Sequence, residues 1–485
     1  MNEPANRTHH LVESIGTTQL FARSTIHQVA PWRMNLLQVA SEHHPGVVFV
    51  ARGDKILGLA VDPVMLCTGE TPVVVLGHPD GPTDPRADPA DEGTPTINQI
   101  RVGHFGEHEA LVAVDDFGRI MVWLTEFLHR PPILLTVGQS AWGIAIHRDR
   151  HLLAVSCNSH DITVWDLRFH LDFSTLTGSK SLPIYLQSNR VLHGHAHNVP
   201  AIAFDPSSRF LASVSIDQSC KLWDLSTGNV VWSRSFDEWM WQVEFVPFDA
   251  LDVTPPAAAD DAPPDPPAAL DPSGPTGLIL CTSKGGMFVL GPNGALLDAN
   301  PLFFPRPRPY FAGYCYRTSM LERLGDSAMY LATNQWGEVA LVSVCASFGG
   351  AEAAQPDPPA VSHDPIENEA PAELPAALDS DPESDDGWAS TDDDDDEDEN
   401  APTDQTPLLA PQTVDDGAKG GWDATLQRHH VVRVETPPSG IPVLGVAVQR
   451  IGPADVLTGC AAIHRVFMCL LTGECAVVDV STVTV

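Results

Sequence analysis

The stretch LHGHAHNVPAIAFDPSSRFLASVSIDQSCKLWDL, residues 192–225, decides the fold of this chain. Its last two apolar runs flank a polar turn around Asp217. Alternating apolar residues on both sides of such a turn predict an antiparallel hairpin. The run that precedes the hairpin, VPAIAF, predicts a further strand beside it.

The same unit recurs along the chain. Residues 152–167 align with 210–225 at an offset of 58, and residues 111–123 align with 211–223 at an offset of 100. Four more hairpins of this form lie at 47–61, 278–290, 329–344 and 465–480. Seven hairpins, each preceded by another apolar strand, predict an all-β chain with seven four-stranded blades of a β-propeller.

The predicted blades fall into two stretches of sequence. We expect a disordered N-terminus at 1–16, blades one to six within 17–345, and the seventh blade at 431–485. The last hairpin leaves its blade short of an outer strand, which residues 17–30 are available to supply, so that the ring closes without free sheet edges. Loop insertions are expected at 78–95, 168–190 and 248–275.

The formal charge of −36 is concentrated in insertions. Residues 351–416 contain 22 Asp and Glu and no Lys or Arg, and residues 248–275 add six Asp and no basic residue. Such compositions bury too little apolar surface to order a chain, so we predict a long disordered acidic insertion at 346–430. The remainder is nearly neutral, which disfavours direct binding of nucleic acid.

The sequence lacks the common signatures of catalysis, metal binding and membrane insertion. The nine cysteines form no CxxC pair, and the first 20 residues lack the apolar core of a signal peptide. No uncharged apolar run reaches the roughly 18 residues of a membrane span. There is no Walker loop, HExxH or GxSxG motif. We therefore expect an intracellular protein that is not an enzyme, carries no cofactor and does not associate with membranes.

Residues 192–225 resemble a WD40 repeat nearly throughout. A Gly-His pair is followed after 27 residues by a Trp-Asp pair, with an Asp in the hairpin turn. The resemblance implies a buried hydrogen-bonded set in which each polar group satisfies another. Its members here would be His195, Ser213 or Ser215, Asp217 and Trp223. Ser159 replaces the turn Asp in the third blade and most other blades lack Gly-His, so we expect a divergent WD40-like propeller.

A narrower resemblance extends over scattered stretches of the chain. SAWGIAIH, LHGHAHNVPAIAF, WMWQVEF, IPVLGVAV and RVFMCLLTGECAVVDV are similar to a fungal family of WD-repeat proteins, named for regulating transcription of ribonucleotide reductase genes. The resemblance implies a nuclear or nucleocytoplasmic scaffold that acts through other proteins. We expect a monomeric propeller that works within complexes.

The sequence TVWDLRF at 163–169 offers a different partner. Trp165, Asp166 and Arg168 resemble the WDxR signature of propellers that serve as substrate receptors of cullin-RING ubiquitin ligases. The resemblance implies that Arg168 meets the ligase adaptor, where a guanidinium can make bidentate contacts. In the alternative interpretation the Trp-Asp pair ends a strand and Arg168 is an ordinary solvated side chain.

Three tryptophans form a candidate peptide site. Trp142 and Trp241 align with Pro200, and Trp239 aligns with Asn198, two places earlier. In WD40 propellers these positions lie near the mouth of the central channel, and tryptophan is a frequent anchor in peptide recognition. The alternative is that the three indoles pack between blades as core aromatics.

The alternate histidines of HGHAHN suggest metal binding, because alternation along a strand places rings on one side. However, the WD40 pattern already accounts for His195, and no cluster of carboxylates or cysteines accompanies it. We therefore expect no metal site.

The acidic insertion contains candidate phosphorylation sites. Ser380, Ser390 and Thr391 each have an acidic residue three places downstream, a pattern that suits an acidophilic kinase. The insertion could dock basic proteins as a chaperone-like scaffold, or it could be a solubilising spacer.

Overall fold

The structure is a computed structural model, and it describes a defined part of the chain. The described residues are 8–19, 36–39, 43–60, 72–79, 95–168, 190–251, 274–283, 285–301, 318–325, 327–334, 338–348, 412–413, 422–433, 443–452, 460–470 and 474–484.

The described residues form seven sheets, each built on an antiparallel meander of four strands that we name a to d from the inside outward; the sheet of blade 4 has a fifth strand. Blade 1 consists of β2 (Leu37–Val39), β3 (Val47–Arg52), β4 (Lys55–Ala60) and β5 (Val74–Gly77). Blade 2 consists of β6 (Ile97–Phe105), β7 (His108–Asp115), β8 (Arg119–Leu124) and β9 (Ile133–Thr136). Blade 3 consists of β10 (Ala141–His147), β11 (Leu152–Cys157), β12 (Ile162–Asp166) and β13 (Arg190–Leu192).

The remaining blades repeat this order. Blade 4 consists of β14 (Ala201–Phe204), β15 (Phe210–Val214), β16 (Ser219–Asp224) and β17 (Asn229–Ser235). Blade 5 consists of β18 (Gln242–Pro247), β19 (Gly277–Thr282), β20 (Gly286–Leu290) and β21 (Leu296–Pro301). Blade 6 consists of β22 (Thr318–Arg323), β23 (Met329–Asn334), β24 (Glu338–Phe348) and β26 (Trp422–Arg433). Blade 7 consists of β27 (Val443–Gly452), β28 (Cys460–Leu470), β29 (Glu474–Thr484) and β1 (Thr8–Gln19).

The a strands close into a ring around a central channel. Each a strand contacts that of the next blade, and β27 of blade 7 contacts β2 of blade 1. The predicted all-β, seven-bladed propeller is therefore confirmed. Within the described ranges the only helical elements are the 3-10 turns Thr125–Phe127 and Phe248–Ala250, and no helix there could span a membrane.

The strand that closes the ring differs from the predicted one in its position. β1 pairs with β29 from Thr8 opposite Thr484 to Gln19 opposite Glu474. The prediction of 17–30 for this strand, with 1–16 outside the fold, was thus wrong in its bounds. The cause is that THHLVESIGTTQ has little apolar alternation, so its sequence does not mark it as a strand.

The boundary before blade 7 also differs from the prediction. β26 forms the d strand of blade 6 and pairs with β24 from Phe348 opposite Trp422 to Glu338 opposite Arg433. These residues lie largely within 346–430, which was predicted to be entirely insertion, and they do not begin blade 7. Residues 349–411 and 414–421, together with most of the other predicted insertions, lie outside the described residues.

The core is divided among the blade interfaces. Seven apolar clusters of buried side chains occur among the described residues, one between each pair of neighbouring blades, including blades 7 and 1. Each sheet buries both faces against its neighbours, which explains why most strands are apolar on both sides. Burial between blades thus stabilises the ring.

The meander gives the propeller two distinct faces. Because neighbouring strands run antiparallel, the a–b and c–d connections of every blade emerge on one face, which we call the a–b face. The b–c turns and the connections from each d strand to the next a strand emerge on the other, which we call the b–c face. The candidate sites divide between these two faces.

Candidate functional site

A polar network in blade 4 joins the b–c face to the blade interior. His195 Nδ1 lies 2.7 Å from Asp217 Oδ2, and His195 Nε2 lies 2.7 Å from Ser213 Oγ. Trp223 Nε1 donates to the same Ser213 Oγ at 2.8 Å. The structure thus brings together the four positions that the WD40 resemblance implies, with Ser213 as the hydroxyl between imidazole and indole.

Ser215 has a separate role in the same turn. Its Oγ bonds to the carbonyl oxygens of His197 and Asn198 at 3.0 and 2.9 Å, and it accepts from the Asp217 N–H at 3.0 Å. It therefore shapes the turn that presents Asp217 and does not enter the histidine network.

The electrostatics of the network fix its protonation. Burial lowers the pKa of His195, which favours a neutral ring. Burial alone would raise the pKa of Asp217, but hydrogen bonds from His195, Ser219 and the Ala196 N–H hold it far below its usual value. Since Trp223 already donates to Ser213, the hydroxyl is free to donate to His195 Nε2, which leaves the proton on Nδ1 for Asp217.

The three candidate tryptophans differ in exposure. Trp142 is 9% exposed and its Nε1 donates to Asn158 Oδ1 at 2.6 Å, while Trp241 is 5% exposed. Trp239 is only partly buried, and its ring meets that of Trp241 edge-on, with centroids 6.3 Å apart. The packing alternative therefore describes Trp142 and Trp241, and Trp239 is the indole that remains at the surface.

Besides a pair of histidines, the b–c face carries acidic residues beside Trp239. Asp237 and Glu238 directly precede it and are exposed. On the connection between blades 3 and 4, the exposed His197 ring lies 5.7 Å from that of His160, centroid to centroid. Burial and the neighbouring His160 lower the pKa of His197, while Asp217 opposes the shift. This part of the b–c face thus offers one aromatic anchor beside carboxylates.

The histidines of HGHAHN do not converge. His195 is buried in the blade 4 network, whereas His193 is exposed and its Nδ1 lies 2.7 Å from Asp161 Oδ1. Among the residues that the structure describes, no group of three or more His, Cys, Asp or Glu could hold a metal ion.

The WDLR segment lies at the a–b face, at the end of the c strand of blade 3. Trp165 is 1% exposed and packs between blades 2 and 3, so it cannot contact an adaptor directly. The Arg168 guanidinium folds back onto the Asp166 carboxylate through Nε and Nη2, and the Arg168 side chain remains 48% exposed. Burial would raise the pKa of Asp166, but its hydrogen bonds with Arg168 lower it. Arg168 and the edge of Asp166 are therefore the accessible part of this candidate contact.

Sequence reasoning missed a charged cluster inside the central channel. Arg101 Nη2 of blade 2 lies 3.1 Å from Glu244 Oε1 of blade 5, so this ion pair crosses the channel between non-adjacent blades. Arg101 Nη1 also donates to the Ile144 carbonyl at 3.1 Å. Burial raises the pKa of Glu322 in blade 6 to about 7, with Arg101 opposing the shift and Glu244 adding to it. The sequence carries little signal of this cluster, because these charges stand in inner strands that contain other polar residues, such as Asn98 in β6 and Arg323 in β22.

The chain shares sequence with WD-repeat proteins. The family described as "WD domain, G-beta repeat" matches residues 186–224, which contain the blade 4 network. A WD40 repeat-containing protein of Dictyostelium discoideum is 31% identical over 224 residues, 46% of this chain and 29% of that protein. An uncharacterized WD repeat-containing protein of Schizosaccharomyces pombe is 29% identical over 224 residues, 45% of each chain.

The match therefore spans less than half the length of either relative. Among solved structures, one chain of a mitotic checkpoint complex superposes with a TM-score of 0.51 at 11% identity, over 98% of this chain and 97% of that chain. This likeness concerns the fold alone. The chain is a seven-bladed, WD40-like β-propeller with one repeat, at residues 186–224, that matches the WD40 family.

Within the propeller, blade 3 lacks the polar network of blade 4. The aligned residues there are Val137, Val155, Ser159 and Trp165. With Val155 in place of the serine, the buried Trp165 Nε1 has no hydrogen-bond partner. Ser159, which takes the position of the turn Asp, donates instead to Asp161 at 3.1 Å. In blade 3 the indole of Trp165 therefore packs in the apolar core without the hydrogen-bonded residues that surround Trp223 in blade 4.

The candidate phosphorylation sites Ser380, Ser390 and Thr391 lie outside the described residues of the WD40 propeller. They remain predictions from the sequence, as does the role of the acidic segment around them.

Proposed function

We propose that this WD40 propeller is a non-enzymatic scaffold that captures an extended segment of a partner protein on its b–c face. The observation that carries the proposal is Trp239, a partly exposed indole supported by a buried one and preceded by two exposed carboxylates. A tryptophan held by packing presents a large contact area at little entropic cost. The adjacent carboxylates of Asp237 and Glu238 favour a partner segment that contains Lys or Arg.

The similarity to the fungal family of ribonucleotide reductase gene regulators supports a place for this scaffold in that control, in the nucleus, the cytoplasm or both. The near-neutral charge outside the acidic insertions supports action through proteins and not by contact with DNA. In this role the propeller would bring a regulatory protein to its target and catalyse nothing.

The test compares Trp239→Ala with Phe117→Ala in the full chain. Phe117 is a matched control, because it is also an aromatic on the b–c face, in the turn of blade 2, and is 53% exposed. Affinity purification with quantitative mass spectrometry would accompany measurement of ribonucleotide reductase transcripts. We expect Trp239→Ala to lose specific partners and to change the transcripts, and Phe117→Ala to do neither. Equal partner sets and transcripts in the two variants would contradict the proposal.

A second candidate function rests on Arg168. Its 48% exposed side chain is pre-oriented by Asp166 on the a–b face, which supports the role of a contact with a ubiquitin-ligase adaptor. Because this face is opposite to that of Trp239, one propeller could present a captured protein to a ligase.

The matched control for Arg168→Glu is Arg209→Glu. Arg209 forms the corresponding pair with Asp224 of blade 4, Nη2 to Oδ2 at 3.2 Å, on the same face, and its side chain is 44% exposed. Co-purification of a cullin and its adaptor with wild type and with Arg209→Glu, but not with Arg168→Glu, is the expected result. If no ligase component purifies with wild type, Arg168 is not an adaptor contact.

A further inference from the structure

Blade 4 carries a fifth strand at its outer edge. The two-residue strand β25 (Gln412–Thr413) pairs with β17, with Gln412 opposite Trp232 and Thr413 opposite Ser233. This pairing is parallel, whereas all the other strand pairs among the described residues are antiparallel. The added strand therefore does not belong to the meander of its blade.

The added strand comes from another blade. Gln412 and Thr413 lie between β24 and β26 in sequence, in the c–d connection of blade 6, yet they pair with blade 4. Further along, the Leu426 N–H donates to Asp298 Oδ2 of blade 5 at 2.6 Å. Leu426 belongs to β26, so the d strand of blade 6 also contacts the outer strand of blade 5.

The edge that β25 covers is an exposed template for strand pairing. β17 is seven residues long, and β25 lies opposite only two of them. Val231 next to the covered residues is 38% exposed, and it belongs to the apolar run Val230–Trp232. An edge strand with unpaired backbone groups can accept another strand.

Within the described residues, the pairing that holds the cover is short. Two paired residues support roughly two backbone hydrogen bonds, each with a net value of about 1 kcal/mol. An extended segment that pairs with more of β17 would replace these bonds and add others. The short cover therefore suits a contact that exchanges with an incoming strand.

We propose that the outer edge of β17 is a docking site for an extended segment of a partner protein, and that Gln412–Thr413 occupies it in cis as a displaceable cover. The partner strand runs parallel to β17 in the register of β25. Residues paired across neighbouring strands share one side of the sheet, so the position after Thr413 in this register lies beside Arg234. A partner with a carboxylate there is favoured. This site is independent of Trp239, and either proposal can fail without the other.

The test uses the full chain and a labelled peptide with the sequence of residues 408–417, LLAPQTVDDG. In the variant Gln412→Pro/Thr413→Pro the cover loses the N–H groups that it needs for pairing. We expect this variant to bind the peptide at least about tenfold more tightly than wild type, the factor that corresponds to about 1.4 kcal/mol of cis competition. A peptide with Val414→Asp should bind more tightly still, because its carboxylate meets Arg234.

Hydrogen exchange locates the binding. Those backbone amides of Trp232–Arg234 that point away from β16 should exchange faster in the proline variant than in wild type and should be protected again by the peptide, while those of β16 remain unchanged. The matched control places prolines at Thr403 and Gln405, in the same connection but outside the paired residues, and should behave as wild type.

Two results would overturn the proposal. One is the absence of peptide binding to the proline variant. The other is binding of equal strength to all three chains, which would show that the cover does not compete. If the proline variant fails to fold, excess labelled peptide is added to wild type, and the absence of binding then refutes a displaceable cover.

Discussion

Replacing a carboxylate of the charged cluster in the channel should change the free energy of unfolding, and the direction of the change depends on which carboxylate is replaced. Glu322 has its pKa raised from 4.5 to about 7 by burial, with Glu244 contributing, so the folded protein holds this proton over a pH range in which the unfolded chain has released it. Folding stability contributed by this site therefore falls as pH rises from about 4.5 to about 7, and the loss is complete above that range. Glu322→Gln removes this loss because the amide has no charge to bury.

The magnitude follows from the shift. A change from 4.5 to about 7 corresponds to at most about 3 kcal/mol. Solvent reaches this channel, since the Arg101 and Glu244 side chains keep 31% and 21% of their exposure. We therefore expect Glu322→Gln to raise the free energy of unfolding by about 1–3 kcal/mol at pH 8 and to change it little at pH 4.5.

The matched variant is Glu244→Gln, which removes the partner of Arg101 at 3.1 Å. Loss of this carboxylate removes the direct partner of the partly exposed Arg101, while ionised Glu322 still faces the guanidinium at pH 8, so this variant should be destabilised by about 1 kcal/mol or less at pH 8. The assay is equilibrium unfolding in guanidinium chloride at pH 4.5 and 8, followed by tryptophan fluorescence. Destabilisation by Glu322→Gln at pH 8, or an equal gain at both pH values, would refute the reasoning.

Three further predictions concern the blade 4 network and its lost counterpart. Ser213→Ala removes the hydroxyl that both His195 and Trp223 contact, and should lower the free energy of unfolding by about 2–4 kcal/mol in the same assay. A loss below about 0.5 kcal/mol, the low end for a single hydrogen bond, would contradict the network. Val155→Ser supplies Trp165 Nε1 with an acceptor, so it should lower the free energy of unfolding less than Val114→Ser, an equally buried control in blade 2. An equal loss of stability in the two variants would count against the alignment of the blades. Because burial lowers the pKa of His195, protonation of its ring opposes folding, and the free energy of unfolding should fall as pH drops below about 6.5. His195→Gln should reduce this decline, and an unchanged pH profile would show that His195 is not its source.

The propeller could be predicted because its strands repeat. Each of the seven hairpins combines apolar alternation with a polar turn, and the blade 4 network follows from spacing within residues 192–225. The strands that were misplaced are polar ones. Thr8–Gln19 and Trp422–Arg433 are outer strands, for which backbone pairing with a neighbour decides the structure more than apolar pattern does.

The contacts between distant blades could not be predicted from the repeat. Arg101, Glu244 and Glu322 lie on strands far apart in sequence, and their meeting depends on closure of the ring. The pairing of Gln412–Thr413 with β17 is likewise a contact between blades 6 and 4 that no local pattern specifies. The alignment did place three tryptophans at one end of the inner strands, but it could not show that Trp142 is held by Asn158 while Trp239 is only partly buried.

The central claim is that partner proteins are captured at Trp239, and photo-cross-linking in the native cell tests it most directly. A photoreactive phenylalanine derivative is introduced at position 239, with positions 117 and 168 as comparisons on the same and the opposite face. We expect position 239 to cross-link to a protein that also purifies with the wild-type chain, and position 117 not to do so. No cross-linked protein at position 239, in cells where the complex still purifies intact, would contradict it.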